Sequence, residues 1–338
     1  MSYPANRTEA IVFWEKGPVT MTCKTFRLSA GALSSAVVAA IMASITGAGS
    51  SPFKAERVEA DGLHNVFKLT ERLYSGSSPD GDAGFASLVK LGVKTIISVD
   101  GARPDVQRAK RHGLRYVHLP IGYDTVPQEQ AARITKAVRD LPGPVYLHCH
   151  HGKHRGPAAA AVVLLCLDPD CPVQAAVDFM KQAGTDPHYE GLYLAPAKLR
   201  RPTKGELDKL PTDFPETAQV AALARIMVEI DARWDHLKQV KKAGWKTPAD
   251  APDLDPPHEA LQLKEHYREA VRLLDRKHPE EVRRWLGAAE GEAAALETTL
   301  RPGKDQQVDA ALADKHFQAV AKSCLQCHAK YRDVQQPR

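Results

Sequence analysis

Residues 144–167 read PVYLHCHHGKHRGPAAAAVVLLCL, and no other stretch restricts the fold as strongly. A short apolar run of strand length passes through a loop of His, Gly, Lys and Arg into a long run of Ala, Val and Leu, so a buried strand must feed a buried helix across a polar loop. Two more β-rich runs, VKTIISVD (93–100) and LRYVHLPI (114–121), alternate with helical stretches near 82–91, 104–112, 127–140, 156–167 and 172–183. Strands alternating with helices predict an α/β layer fold over 51–200, a central mixed or parallel sheet flanked by helices.

The remainder has a different texture. Residues 201–216 are rich in proline and lack apolar periodicity, which predicts a linker. From 217 to 338 no strand signal appears, and Val220, Leu223, Met227, Ile230, Trp234 and Leu237 recur at helical spacing. Breaks at KTPADAPDLDPP, at Pro279 and at RPGK divide the segment into four helices, the outline of an all-α four-helix bundle with Trp234 and Trp285 lining its core. At the other end, Lys24 and Arg27 precede an uncharged apolar run at 28–45, followed by TGAGSS. This predicts a signal peptide over 1–50, cleaved near 48–51, with Met21 as an alternative start. An uncleaved anchor is the rival reading, because the run is near the lower length limit for a membrane span. Export to the periplasm or beyond follows from either. Basic residues number 46 against 41 acidic ones, spread along the chain, so no nucleic-acid partner is expected.

The loop can be read chemically. Cys149 ends the strand and the helix begins near Gly156, with His150, His151, Gly152, Lys153, His154 and Arg155 between them. Backbone N–H groups of such a loop, together with the helix N-terminus, form a cradle for a phosphate dianion. The planar fork of Arg155 can hold two of its oxygens. The same positive field favours a thiolate at Cys149, which makes the site one for a nucleophile. A histidine-rich metal patch is the rival reading. Cys166 and Cys171 can pair in an oxidising compartment or pack as small apolar groups.

The H-C-x5-R pattern resembles the cysteine-based tyrosine phosphatases, and NVFKLTERLYSGSSPDGDAGFASLVKLGVKTIISVDGARPD, GLRYVHLPIGYDTVP and PVYLHCHHGKHRGPAAAAVVLL are similar in order and spacing to the dual-specificity subgroup, over roughly 63–185. The resemblance implies Cys149 as nucleophile, Arg155 as phosphate clamp, His148 as the histidine before the nucleophile, and an aspartate on a preceding loop as general acid. Asp124, in GYDTVP, matches that role best, and Asp100 is the second choice. Reaction would run through a cysteinyl-phosphate that water then cleaves. Where the family has Ser or Thr after the arginine, whose hydroxyl assists the second step, this chain has Gly156, which implies slow turnover of the intermediate. The basic loop resembles those of phosphoinositide-directed members, a lean toward polyanionic substrates.

A second motif lies in FQAVAKSCLQCHAKYRD. Cys324, Cys327 and His328 fall at i, i+3 and i+4, so a helix presents both thiols and the imidazole on one face. C-x-x-C-H is the attachment pattern of c-type haem, with two thioether bonds and a proximal histidine. A zinc half-site or a disulfide are the rivals, and zinc lacks a second Cys/His pair, since His278 and His316 are isolated. The segment 217–336 looks like the class II cytochromes c, the bundle type related to cytochrome c′. That resemblance implies one covalent haem c on Cys324 and Cys327, His328 as iron ligand and Met227 as sixth ligand where one is present. It also allows a homodimer and a redox partner protein.

Two functions follow as expectations. One is an exported phosphatase acting on phosphorylated protein or small molecules, its haem domain serving electron transfer or gas sensing. The other is an electron-transfer or gas-binding cytochrome whose α/β domain only binds phosphorylated ligands.

Overall fold

A computed structural model describes residues 53–303 and 306–332. The signal-peptide segment and the alternative start at Met21 lie outside the described residues. What is described belongs to one unit, Pro52–Arg338. Among the described residues no helix is long and apolar enough to cross a membrane.

The sheet begins with three strands that the sequence reading did not separate: β1 (Glu56–Ala60), β2 (Leu63–Lys68) and β3 (Leu73–Gly76). They pair antiparallel in succession. After α1 (Gly81–Lys90) come β4 (Thr95–Ser98), α2 (Val106–Arg111), β5 (Arg115–His118), α3 (Gln128–Asp140) and β6 (Val145–His148). Then follow α4 (Arg155–Leu167), α5 (Val173–Gln182) and α6 (Glu190–Lys198). The strand order is β1-β2-β3-β6-β4-β5, a mixed sheet in which β6 lies between β3 and β4 and parallel to both.

Strand alternation assigns the two faces of this sheet. Ile97, Val117, Val145 and Leu147 join a core with α3 through α6, while Ile96, Tyr116 and Tyr146 join another with α1 and α2. Helix α4, buried from Arg155 to Leu165, runs down the first face, and the small side chains of Ala158–Ala161 let it approach closely. In register, Gly76, His148 and Ser98 end three neighbouring parallel strands together. Whatever follows His148 therefore sits at the carboxyl edge of the sheet, where open α/β folds place ligands.

The stretch 201–216, expected to be a linker, contains α7 (Lys204–Lys209), started by a capping box between Thr203 and Glu206. It buries Leu207 and Phe214, and the Pro215 carbonyl accepts a hydrogen bond from the His118 amide. Its prolines end the helix without detaching the chain, because apolar residues between them anchor it.

Four helices complete the chain: α8 (Ala222–Lys242), α9 (Pro256–Arg272), α10 (Glu280–Thr299) and α11 (Ala310–Tyr331). Asp255 and Asp309 cap α9 and α11 by accepting the amides of His258 and Leu312, and Pro256 opens α9 where no backbone donor is needed. Leu237, Leu263, Leu296 and Val320 meet in the shared core, and Trp234 of α8 stacks on Phe317 of α11 at 3.9 Å between centroids. Val220 precedes α8, and Trp285 is half-buried at the core edge, 6.2 Å from the Tyr331 ring.

Candidate active site

The loop 149–154 is held from outside by its carbonyl oxygens. Ser78 N–H donates to the His150 carbonyl at 2.9 Å. The Asn65 amide donates to that of Gly152 at 2.9 Å, and the Thr185 hydroxyl to that of Lys153 at 2.7 Å. A trans peptide directs its N–H opposite to its C=O, so the amides of His151, Lys153 and His154 point away from those partners, toward the interior of the loop. Gly152 makes the turn possible: its φ is +67°, and a Cβ there would lie 2.4 Å from the Gly76 carbonyl carbon. None of the three anchoring residues lies near the loop in sequence, and no local signal marks them.

Cys149 is buried at the end of β6. Before it, His148 shares a 2.7 Å hydrogen bond with the Tyr116 hydroxyl, and burial pushes its pKa down to about 4, so it is a neutral positioning group. Arg155 is 9% exposed, and its guanidinium donates to Asp100 at 2.9 Å. The same Asp100 oxygen accepts the His150 amide at 2.6 Å, and its other oxygen accepts the Ala102 amide at 2.9 Å. Burial raises the Asp100 pKa, but Arg155 and these amides outweigh it and hold the carboxyl below the usual range. A carboxylate so held is a poor proton donor, so Asp100 does not suit the second-choice acid role; it orders Arg155 and the loop instead. The Arg155 Nε–H is buried without a partner among the described residues.

Asp124 is half-buried in the loop before α3, with its backbone pressed on Gly191, where a Cβ would overlap the Asp124 carbonyl oxygen. Its neighbour Tyr123 lies against Arg155, with the guanidinium carbon 4.3 Å from the ring centroid. Tyr123 was not singled out from the sequence, although it is adjacent to the aspartate that was. Gly156 is tightly enclosed: a Cβ there would stand 3.1 Å from the Cys149 amide nitrogen and 3.3 Å from its sulfur.

The histidines do not all act as phosphate-binding cations. His154 accepts the Asp186 amide and lies 4.6 Å from the Tyr189 ring, and burial takes its pKa down to about 4. His150 and His151 turn toward Asp235 of α8, at 3.4 and 3.7 Å. Lys153 is exposed. The cationic capacity expected of this loop thus resides mainly in Arg155 and the backbone.

On α11, Cys324 and Cys327 are half-buried against the helical core, and Met227 of α8 packs on the same core. The Cys324 sulfur is 3.1 Å from the Tyr267 hydroxyl, and burial raises its pKa. His328 lines a cleft of about 630 Å³, bordered by Leu325 and Arg332 on its own helix and by His188, Tyr189 and Leu194 on the α/β side. Leu194 and Leu325 are 43% and 70% exposed, an apolar rim on a cleft of cofactor size. Of the C-x-x-C-H residues, His328 lines this cleft, while Cys324 and Cys327 pack on the helical core. Cys166 and Cys171 are free thiols whose pKa values burial raises.

A strand-end cysteine, an outward-anchored loop and a buried arginine opening a helix together form a cradle suited to an oxyanion beside the cysteine sulfur. In sequence, the chain is similar to the dual specificity protein phosphatase TpbA of Pseudomonas aeruginosa, strains UCBPP-PA14 and PAO1, at 29% identity over 143 residues. The match takes in 41% of this chain and 62% of each relative, so the chain spans somewhat less than two thirds of their length. The crystal structure of P. aeruginosa TpbA aligns over 44% of this chain and 92% of that one, with 23% identity and a TM-score of 0.39. A cysteine-to-serine variant of TpbA in complex with phosphotyrosine aligns over 44% and 98%, with 27% identity and a TM-score of 0.33. No family model matches the chain.

Proposed function

We propose that this protein is an exported, cysteine-dependent phosphatase of the dual-specificity type that carries a covalently bound c-type haem. The observation that bears most weight is the buried Arg155, its Nε–H without a partner among the described residues, beside Cys149 and a loop whose carbonyls are tied outward. A buried guanidinium donor is costly to leave unpaired, and a phosphoryl oxygen is the acceptor such a cradle suits.

In the first step the Cys149 sulfur bonds to phosphorus and the ester P–O bond breaks, while Asp124 gives its proton to the leaving oxygen. In the second, water attacks phosphorus, its proton passes to the Asp124 carboxylate, and the thiolate departs with inorganic phosphate released. Arg155 and the loop amides hold the equatorial oxygens throughout. The similarity in sequence to a dual specificity protein phosphatase supports a phosphorylated protein or small aryl phosphate as substrate; the exposed Lys153 leaves polyanionic esters as a secondary class. Hydrolysis of p-nitrophenyl phosphate by wild type and Cys149→Ser tests the reading: activity abolished in the variant is the expected result, and equal rates refute it.

For the helical region, Cys324 and Cys327 would form the thioethers, His328 would bind iron, and Met227 is the residue assigned to the sixth position. When bound, the group would supply one-electron redox chemistry with Met227 as ligand, or a coordination position for small ligands without it. Support comes from the C-x-x-C-H spacing on α11 and the apolar cleft beside His328. A haemochrome spectrum after export with haem-ligation machinery, lost in the Cys324→Ala/Cys327→Ala double variant, is expected; a colourless protein refutes it.

The second reading, a cytochrome whose α/β domain only binds phosphorylated ligands, is favoured by one observation, the lack of a hydroxyl at Gly156 beside the Cys149 sulfur. Phosphate-sensitive haem spectra without ester hydrolysis would select it. A redox partner protein and a homodimer belong to either reading.

A further inference from the structure

The phosphate cradle needs Arg155 and backbone amides, and it leaves two adjacent imidazoles unused. His150 and His151 have ring centroids 4.2 Å apart, crowded together at the loop's outer rim. Both Nε2 atoms approach the same oxygen of Asp235, at 3.4 and 3.7 Å, and the nitrogen, nitrogen and oxygen all lie within 4.8 Å of one another. The other Asp235 oxygen is paired with Lys238, one turn along α8, which leaves the first directed at the histidines.

We propose that His150, His151 and Asp235 form a site for a divalent transition cation of the zinc class, tying the phosphate loop to α8. Ligand atoms on a tetrahedral zinc with bonds of about 2.0–2.2 Å stand roughly 3.3 Å apart. The observed separations from the Asp235 oxygen need only a slight contraction to reach that value. Two imidazoles and one carboxylate suit zinc, and three protein ligands leave a position for water. The alternative, two imidazoles competing for one carboxylate oxygen, pairs at most one of them well. Metal at this position would fix the His150 side chain, whose backbone amide is bonded to Asp100, and so link the helical region to the Arg155 partner. The site depends on neither the hydrolytic nor the haem assignment.

The experiment titrates Zn²⁺ into the full chain, its Asp235→Asn variant and its His151→Gln variant, and repeats the titration with Co²⁺ by absorption. Each variant is expected to lose one bound Zn²⁺ or to weaken it more than about tenfold. The Co²⁺ so lost should show weak d–d bands without thiolate charge transfer, which separates it from ion held by Cys324 and Cys327. Zn²⁺ affinity within about twofold of wild type in both variants, or thiolate bands on the ion that Asp235→Asn removes, overturns the proposal.

Discussion

Arg332, near the end of α11, lies with its guanidinium carbon 4.4 Å from the ring centroid of Tyr123, and the Arg155 guanidinium is 4.3 Å from that same centroid. The ring that covers Arg155 is thereby in contact with the end of the helix that carries Cys324, Cys327 and His328. Arg332 also donates to the Tyr189 hydroxyl at 3.0 Å. The contact predicts that Arg332→Ala, although outside the phosphate cradle, lowers kcat/KM for a phosphate ester. A cation–π contact of about 0.5–2 kcal/mol corresponds to about a 2- to 30-fold loss. Steady-state kinetics, with circular dichroism to verify folding, measures it.

Asp124→Asn separates the proposed general acid from Asp100, the residue that orders Arg155 and the loop. Removing a proton donor should lower kcat about 10²- to 10⁴-fold for a phosphate with a poor leaving group. The loss should be much smaller for p-nitrophenyl phosphate, whose leaving group departs without a proton. Asp100→Asn should reduce both rates alike. The ratio of kcat for phenyl and p-nitrophenyl phosphates in each variant is the readout.

Asp100 and Arg155 are both buried, so truncating one leaves the other charged and uncompensated. Asp100→Asn is expected to cost about 3–5 kcal/mol of stability near neutral pH. Because the folded Asp100 carboxyl titrates below its ordinary range, its stabilising contribution is complete above about pH 4, the unfolded value. It fades as pH falls through the lower folded value. Urea denaturation of wild type and variant should therefore show a constant gap at pH 6–7 that narrows below about pH 4.

In the proposed mechanism Gly156 limits the second chemical step. Without a hydroxyl beside the sulfur, the cysteinyl-phosphate should accumulate, and a burst of p-nitrophenol close to one per enzyme should precede a slower steady state. A Cβ at 3.3 Å from the Cys149 sulfur is a tight contact, yet it places the Gly156→Ser hydroxyl within reach of the departing thiolate. The variant is expected to raise the steady-state rate about tenfold or more, the scale of one well-placed donor, and to shrink the burst. Stopped-flow absorbance resolves both phases.

The strand–loop–helix at 145–167 and the four helices after 221 were legible in the sequence because each depends on local periodicity, apolar inside and polar at the breaks. Cys149, Arg155 and the C-x-x-C-H spacing were legible for the same reason: neighbours in sequence are neighbours on one loop or one helical turn. The short strands β1 to β3 were not separated, since stretches this brief carry little period and owe their form to pairing. Which partner each charged group found was decided only by the tertiary structure. Asp100 meets Arg155 because two parallel strands end in register, while Asp235 and Arg332 reach the loop and Tyr123 because the helical region packs against the sheet's carboxyl edge. Such contacts join residues 50 to more than 200 positions apart, and no local pattern encodes them; they arise when burial of the cores brings distant polar groups together and each must find a partner.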